Sequence, residues 1–154
     1  MFECILVGDS GSGTEDQIKV AKSMEKLIKK NPIKSVIIVG DNIYPDGCND
    51  IHDIQFNTKF RDIYKNINLP FYLCLGNHDY HINPQSQIDY TFSQYNSDKK
   101  WNLPKKYYKQ SFEFCDLFFI DTNFKHLSES FIQQQLKDTI NNIQSSKKRW
   151  KILC

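Results

Sequence analysis

The chain has 154 residues, 40% of them hydrophobic and 25% charged, and a net charge of +2 at neutral pH. That length suits one ordinary domain with a real core, and the composition is that of a globular protein in water. The near balance of charge excludes a nucleic-acid footprint and a polybasic membrane surface, and no apolar run is long enough to cross a bilayer, so neither nucleic acid nor membrane is expected as a partner.

Met1-Phe2-Glu3 leads straight into the apolar run Cys4-Ile5-Leu6-Val7, which Gly8 closes. No charged leader with an apolar stretch fits before it, so the sequence as written reads as cytoplasmic. The cysteines agree: Cys4, Cys48, Cys74, Cys115 and Cys154 are odd in number, scattered, and contain no CxxC pair. Cys4, Cys74 and Cys115 lie in or beside apolar runs and read as small core residues.

Thr14 and Gln17 have capping-box spacing, so a helix is expected from Thr14 to about Asn31-Pro32, with Ile18, Ala21, Met24 or Glu25, and Ile28 on its inner face. Ser35 to Val39 is apolar without alternation, as a strand covered on both faces is. Phe56, Phe60, Ile63, Tyr64 and Ile67 recur at helical spacing. A third strand is expected over Phe71–Leu75, then a helix carrying Ile88, Phe92 and Tyr95. Tyr107–Phe114 and Leu117–Ile120 read as a hairpin, and Ile132, Leu136, Ile140 and Ile143 as the inner face of a last helix. Trp150–Leu153 opens a final strand. Strands alternating with helices predict an α/β fold with a mainly parallel sheet, whose ligands sit at the carboxyl ends of the strands.

Three of those ends carry a glycine followed by ligand chemistry: Gly8-Asp9-Ser10-Gly11, Gly40-Asp41-Asn42-Ile43-Tyr44 and Gly76-Asn77-His78-Asp79. On one sheet edge they would bring together two carboxylates, a phenol, an amide and an imidazole, a set suited to Mg, Mn, Fe or Zn. Two metals about 3.5–4 Å apart need a shared carboxylate, and Asp41 in the middle loop is placed to bridge them. His78 beside the amide is placed to protonate a leaving oxygen. Taken singly, each aspartate reads as a turn former, Tyr44 as a loop aromatic and Asn77-His78 as a surface turn. Three such loops in order, each after an apolar strand, favour the site.

Gly-Asp-x-Gly, Gly-Asp-x-x-Tyr and Gly-Asn-His-Asp resemble the first three motifs of the calcineurin-like metallophosphoesterases, with Tyr44 pointing to the purple acid phosphatase branch. Trp101-Asn102-Leu103-Pro104 with Tyr107-Tyr108, and Phe119-Ile120-Asp121-Thr122, extend the resemblance over nearly the whole chain. It implies an αββα sandwich of two sheets flanked by helices, with residues 1–154 forming the N-terminal part of a single domain, incomplete at its C-terminus. It further implies that Asp9 and Tyr44 bind one metal, Asp41 bridges, and Asn77 binds a second. His78 would contact the phosphate or protonate the leaving group. The implied metals are Fe(III) paired with Fe, Zn or Mn, and the implied substrate is a small phosphomonoester or a phosphoprotein.

The family's later ligands are histidines, one after the next strand and then a Gly-His-x-His motif. This chain has only His52, His78, His81 and His126, and it stops at Trp150–Cys154. His52 and His126 read as surface residues, and His81 as exposed or as lying just behind the ligands. The expectation is therefore a fragment of a longer product that supplies a C-terminal half, with one weakly held metal at most in this chain. Two other readings stay open. Gly8-Asp9-Ser10 with Gly47-Cys48-Asn49-Asp50 is similar to the blocks of SGNH serine esterases, with Ser10 as nucleophile and Gly11 and Asn49 lining the oxyanion hole, although their late Asp-x-x-His is not in this sequence. A degenerate phosphoesterase fold kept as a binding module is the other. The Gly8–Thr14 segment lacks the Gly-Lys-Ser/Thr ending of a phosphate-binding P-loop.

Overall fold

The computed structural model describes residues 2–154. Strands β1 (Cys4–Val7), β2 (Ser35–Val39), β3 (Phe71–Cys74) and the short β4 (Trp101–Asn102) pair in chain order as an all-parallel sheet. Parallel neighbours need a crossover; helix α1 (Glu15–Lys30) makes the first, and the segment around a π-helical turn at Asn57–Arg61 makes the second. Helix α2 (Pro84–Phe92) lies between β3 and β4. β5 (Tyr108–Ser111) and β6 (Cys115–Phe119) form the expected hairpin. Helix α3 (Glu129–Ser145) then returns the chain to β7 (Trp150–Leu153), parallel to β6, giving a second sheet ordered β5-β6-β7.

Side-chain alternation explains the layering. Val36 and Ile38 of β2, with Phe71 and Leu73 of β3, point into a core shared with α1, Phe56, Phe60, Tyr64, Tyr90 and Trp101. Ile37 and Cys74 point the other way and meet Cys115, Leu117 and Phe119 of β6. The opposite face of β6 lies toward α3, where Asp116 accepts from Ser146 just past the helix. The order is helices, sheet, sheet, helix, so the αββα expectation holds. Each fully buried Val, Leu or Phe contributes about 1.5–3 kcal/mol. The first core adds aromatic geometry: Phe56 stacks on Tyr90 at 3.8 Å, and Trp101 stands edge-on to Phe56 and Phe60.

Several local expectations are corrected. The capping box does not form, because Thr14 N–H is taken by Ser12 Oγ. Thr14 occupies the N-cap position, but its hydroxyl pairs with Ser12 Oγ and makes no cap bond, while Gln17 Oε1 accepts from Gly13 N–H. The helical period over Phe56–Ile67 falls on a short π turn at 57–61, where Asp62 N–H reaches back five residues to Asn57 C=O, followed by irregular turns. The next helix ends at Phe92, which is exposed, short of Tyr95. In α3 the buried residues are Gln135 and Thr139, whereas Leu136 and Ile140 face out, because the helix is docked through polar contacts at Asp121. Cys4 is exposed because β1 is an edge strand; Cys74 and Cys115 are buried as expected.

Candidate metal centre

The three glycine loops follow β1, β2 and β3, and the parallel register brings them to one edge. Asp9 N–H donates to Gly40 C=O at 3.2 Å and Tyr44 N–H to Gly11 C=O at 2.9 Å, joining the first loop to the second. Two glycines permit the approach. A Cβ on Gly11 would lie 1.9 Å from Asn42 O, and one on Gly76 would lie 2.2 Å from both Asp41 N and its Oδ1. Asp9 and Asp41 themselves sit in the left-handed region, at φ 53° and 52°. Such backbone is costly outside glycine and persists where the surroundings impose it.

The side chains then converge. Tyr44 Oη lies 2.6 Å from Asp9 Oδ1 and 2.8 Å from Asp41 Oδ2. A phenol has one proton, so two ionised carboxylates cannot both receive a hydrogen bond from it. Three oxygens from two loops thus crowd together at a single phenol. The bond to Asp9, with burial and the neighbouring Asp41, raises the Tyr44 pKa well above the ordinary phenol value. Asp41 is 8% exposed and accepts His78 N–H at 3.0 Å through its other oxygen. Asp9, Asp41 and Asn77 line one cleft of about 350 Å³ together with Gly76, Thr122 and Asn123.

His78 is held by its ring. Its Nδ1 lies 2.6 Å from Pro45 O, which can only accept, so Nδ1 carries a proton and Nε2 is left for other partners. The ring lies 4.5 Å from that of Tyr44 and 4.9 Å from that of His81, which is exposed and paired through Nδ1 with Asp46 at 2.8 Å. His52 and His126 lie exposed, against Tyr95 and Tyr80. Among the described residues no three histidine, cysteine or carboxylate side chains converge on one point. The donor set is two carboxylates, a phenol and an amide, whose hard oxygens fit Mg, Mn or Fe. Ser10 is buried, does not line the cleft, and makes no hydrogen bond to histidine among the described residues; Asn49 engages Asp53 instead.

Sequence reasoning missed the groups behind the loops. Asp79 is fully buried and accepts from Gly76 N–H (2.9 Å), Asn42 N–H (3.1 Å), Ile43 N–H (3.2 Å) and Gln87 Nε2 (2.8 Å). Burial pushes its pKa up, against the pull of those donors. This knot fixes the Asp41 loop to the Asn77 loop. On the far side of the cleft, buried Asp121 receives Tyr80 Oη–H and Asn123 N–H, while Gln135 bonds both its backbone groups. Asp79 stands inside a motif that could have flagged it. Gln87 and Gln135 carry no local signal.

Comparison with known proteins agrees with this architecture. The family model for calcineurin-like phosphoesterases matches residues 4–153. The chain is 34% identical to purple acid phosphatase 4 of Arabidopsis thaliana over 121 residues, covering 77% of this chain and 35% of that protein. It is 29% identical to human tartrate-resistant acid phosphatase type 5 over 147 residues, covering 85% and 44%. The fold matches GAP50, the anchor in the inner membrane complex of Plasmodium, with TM-score 0.77 at 20% identity over 99% of this chain and 53% of that one. A purple acid phosphatase from yellow lupin seeds matches with TM-score 0.64 at 13% identity, over 99% and 29%. The chain thus spans between about a third and a half of the curated relatives it matches. With a family model matched along almost its whole length and purple acid phosphatases among its relatives, the chain belongs to the calcineurin-like phosphoesterase family.

Proposed function

We propose that the chain carries the first half of a metal-dependent phosphomonoesterase site, acting on a small phosphomonoester or a phosphoprotein. One observation supports this most: the Tyr44 phenol held between the Asp9 and Asp41 carboxylates, which line one cleft with Asn77. Asp9 and Tyr44 are the residues to hold one metal, Asn77 a second, and Asp41 both, with Fe(III) and a divalent Fe, Zn or Mn as the pair. Such a pair supplies Lewis acidity and an acidified water.

The chain's own groups do the rest. Tyr44, Asp9 and Asp41 would hold the metal through their oxygens, with the Tyr44 proton released to solvent. His78, anchored by Nδ1 on Pro45, offers Nε2 to a phosphate oxygen and carries the proton for the leaving group. Asp79 holds the Asn77 loop against the Asp41 loop without touching substrate.

Within these 154 residues the second position has only Asp41 and Asn77. The proposal for this chain is therefore one metal held weakly and turnover far below that of a longer protein with added histidine ligands. Elemental analysis with phosphate release from a chromogenic monoester tests it. Asp41→Asn is expected to abolish metal retention and residual turnover together. Turnover that persists in excess chelator would overturn the reading.

A further inference from the structure

A second concavity, of about 870 Å³, lies between α2, the 104–107 segment, β5 and α3, and none of the candidate metal ligands lines it. Its apolar floor includes Ile88, Phe118 and Phe131. β5 runs along it and is an edge strand, paired only to β6. Every second residue of such a strand turns its N–H and C=O away from its partner. Among the described residues, Tyr108–Ser111 make no backbone–backbone hydrogen bond beyond the β6 ladder; Ser111 C=O accepts only from the Gln110 side chain.

The charge of the rim says what would fit. Lys105 and Lys106 have no carboxylate within ion-pair distance among the described residues, and the Lys106 ammonium lies over the rings of Tyr80 and Phe131. Lys109 pairs with buried Asp116 at 2.8 Å. The carboxylate in the groove, Asp138, accepts from Tyr107 Oη at one oxygen and Gln134 Nε2 at the other, and leaves the lysines in the majority. A rim with a net excess of lysine, an apolar floor and an open strand edge call for one kind of partner.

We propose that this groove binds an acidic polypeptide segment in extended conformation, which adds to β5 as a fourth strand of the second sheet. Backbone bonds to β5 supply the register, alternate apolar side chains the contact with Phe131, and acidic side chains the pairing with Lys105 and Lys106. The inference is independent of the phosphoesterase reading, since no metal-site residue takes part.

The test uses the 154-residue chain and a fluorescein-labelled eight-residue peptide alternating Glu and Val. Anisotropy is expected to show saturable binding that a Lys-Val peptide lacks. Lys105→Glu/Lys106→Glu is expected to weaken it by about tenfold or more, the scale of lost charge pairing, as is raised salt. The single variant Lys105→Glu, at an exposed residue, serves if the double variant misfolds. Two further peptides, N-methylated at odd or at even positions, should behave differently, one losing binding and the other keeping it. Hydrogen exchange should slow at Tyr108–Ser111 on binding. Equal binding of both charge types, equal behaviour of the two methylated peptides, or β5 protection that grows with protein concentration alone would each overturn the proposal, the last by making a second copy the occupant.

Discussion

Asp79 and Asp41 lie in adjacent loops and are both buried, at 0% and 8% exposure, yet their surroundings are opposite. Asp79 accepts from three backbone N–H groups and a glutamine amide, and every one of its contacts is a donor. Asp41 accepts one backbone N–H, and its other oxygen faces a phenol whose proton is also within reach of Asp9. A satisfied buried carboxylate is a structural tie. A carboxylate that shares a phenol with another, on strained left-handed backbone, is what the proposed metal site asks for. On that proposal the two loops divide the work: Asp79 sets the geometry and Asp41 uses it.

The comparison breaks if both aspartates respond alike to substitution. Asp79→Ala leaves several buried donors unpaired and should destabilise the chain by about 3–5 kcal/mol in urea unfolding. Asp41→Asn removes a charge repelling Asp9, so the metal-free chain should lose little or gain stability. A large loss from Asp41→Asn and a small one from Asp79→Ala would reverse the assignment.

Metal sharpens the contrast. At a free Mn²⁺ concentration of 100 times its dissociation constant, the wild-type chain should gain about 2.7 kcal/mol, seen as a rise in Tm. The Asp41→Asn chain should gain nothing at that concentration. An equal rise in both would place the metal elsewhere.

A third carboxylate, Asp116, provides a control far from the cleft. Burial alone would raise its pKa, but Lys109 Nζ and Ser146 Oγ–H, at 2.8 and 2.6 Å, outweigh that and hold it at about 2. Its folded value lies below the unfolded one near 3.8, so its contribution is complete above about pH 4 and disappears as pH falls toward 2. Asp116→Asn should cost about 1–3 kcal/mol at pH 7 and remove that part of the acid dependence, read from urea midpoints between pH 2 and 5. Smallest of all, Thr14→Ala should change stability by less than about 0.5 kcal/mol, because Thr14 makes no cap bond.

The parallel sheet and the edge bearing the site were legible because both rest on local patterns, short apolar runs and a glycine before each ligand loop, whereas the two-sheet sandwich followed from the family resemblance. Strands β1 to β3 and the hairpin fall close to where the residues indicate. The face of α3 did not, since Gln135 docks it by bonding Asp121 at both backbone groups, and hydrophobic period says nothing of an amide used that way. The capping box at Thr14 failed for a similar reason, because the Ser12 hydroxyl competes for Thr14 Oγ1. Within the site, Asp9, Asp41, Tyr44, Asn77 and His78 could be listed from sequence, whereas the ties from Asp79 to Asn42, Ile43 and Gln87 span 8 to 37 residues and have no common spacing.

Paramagnetic broadening by Mn²⁺ tests the central claim most directly. With substoichiometric Mn²⁺ added to the ¹⁵N-labelled chain, amide signals of Asp9, Asp41, Tyr44 and Asn77 should broaden first, and the pattern should vanish in Asp41→Asn. Broadening centred on the Asp50–Asp53 loop, or unchanged by Asp41→Asn, would contradict a metal held by Asp9, Asp41 and Tyr44.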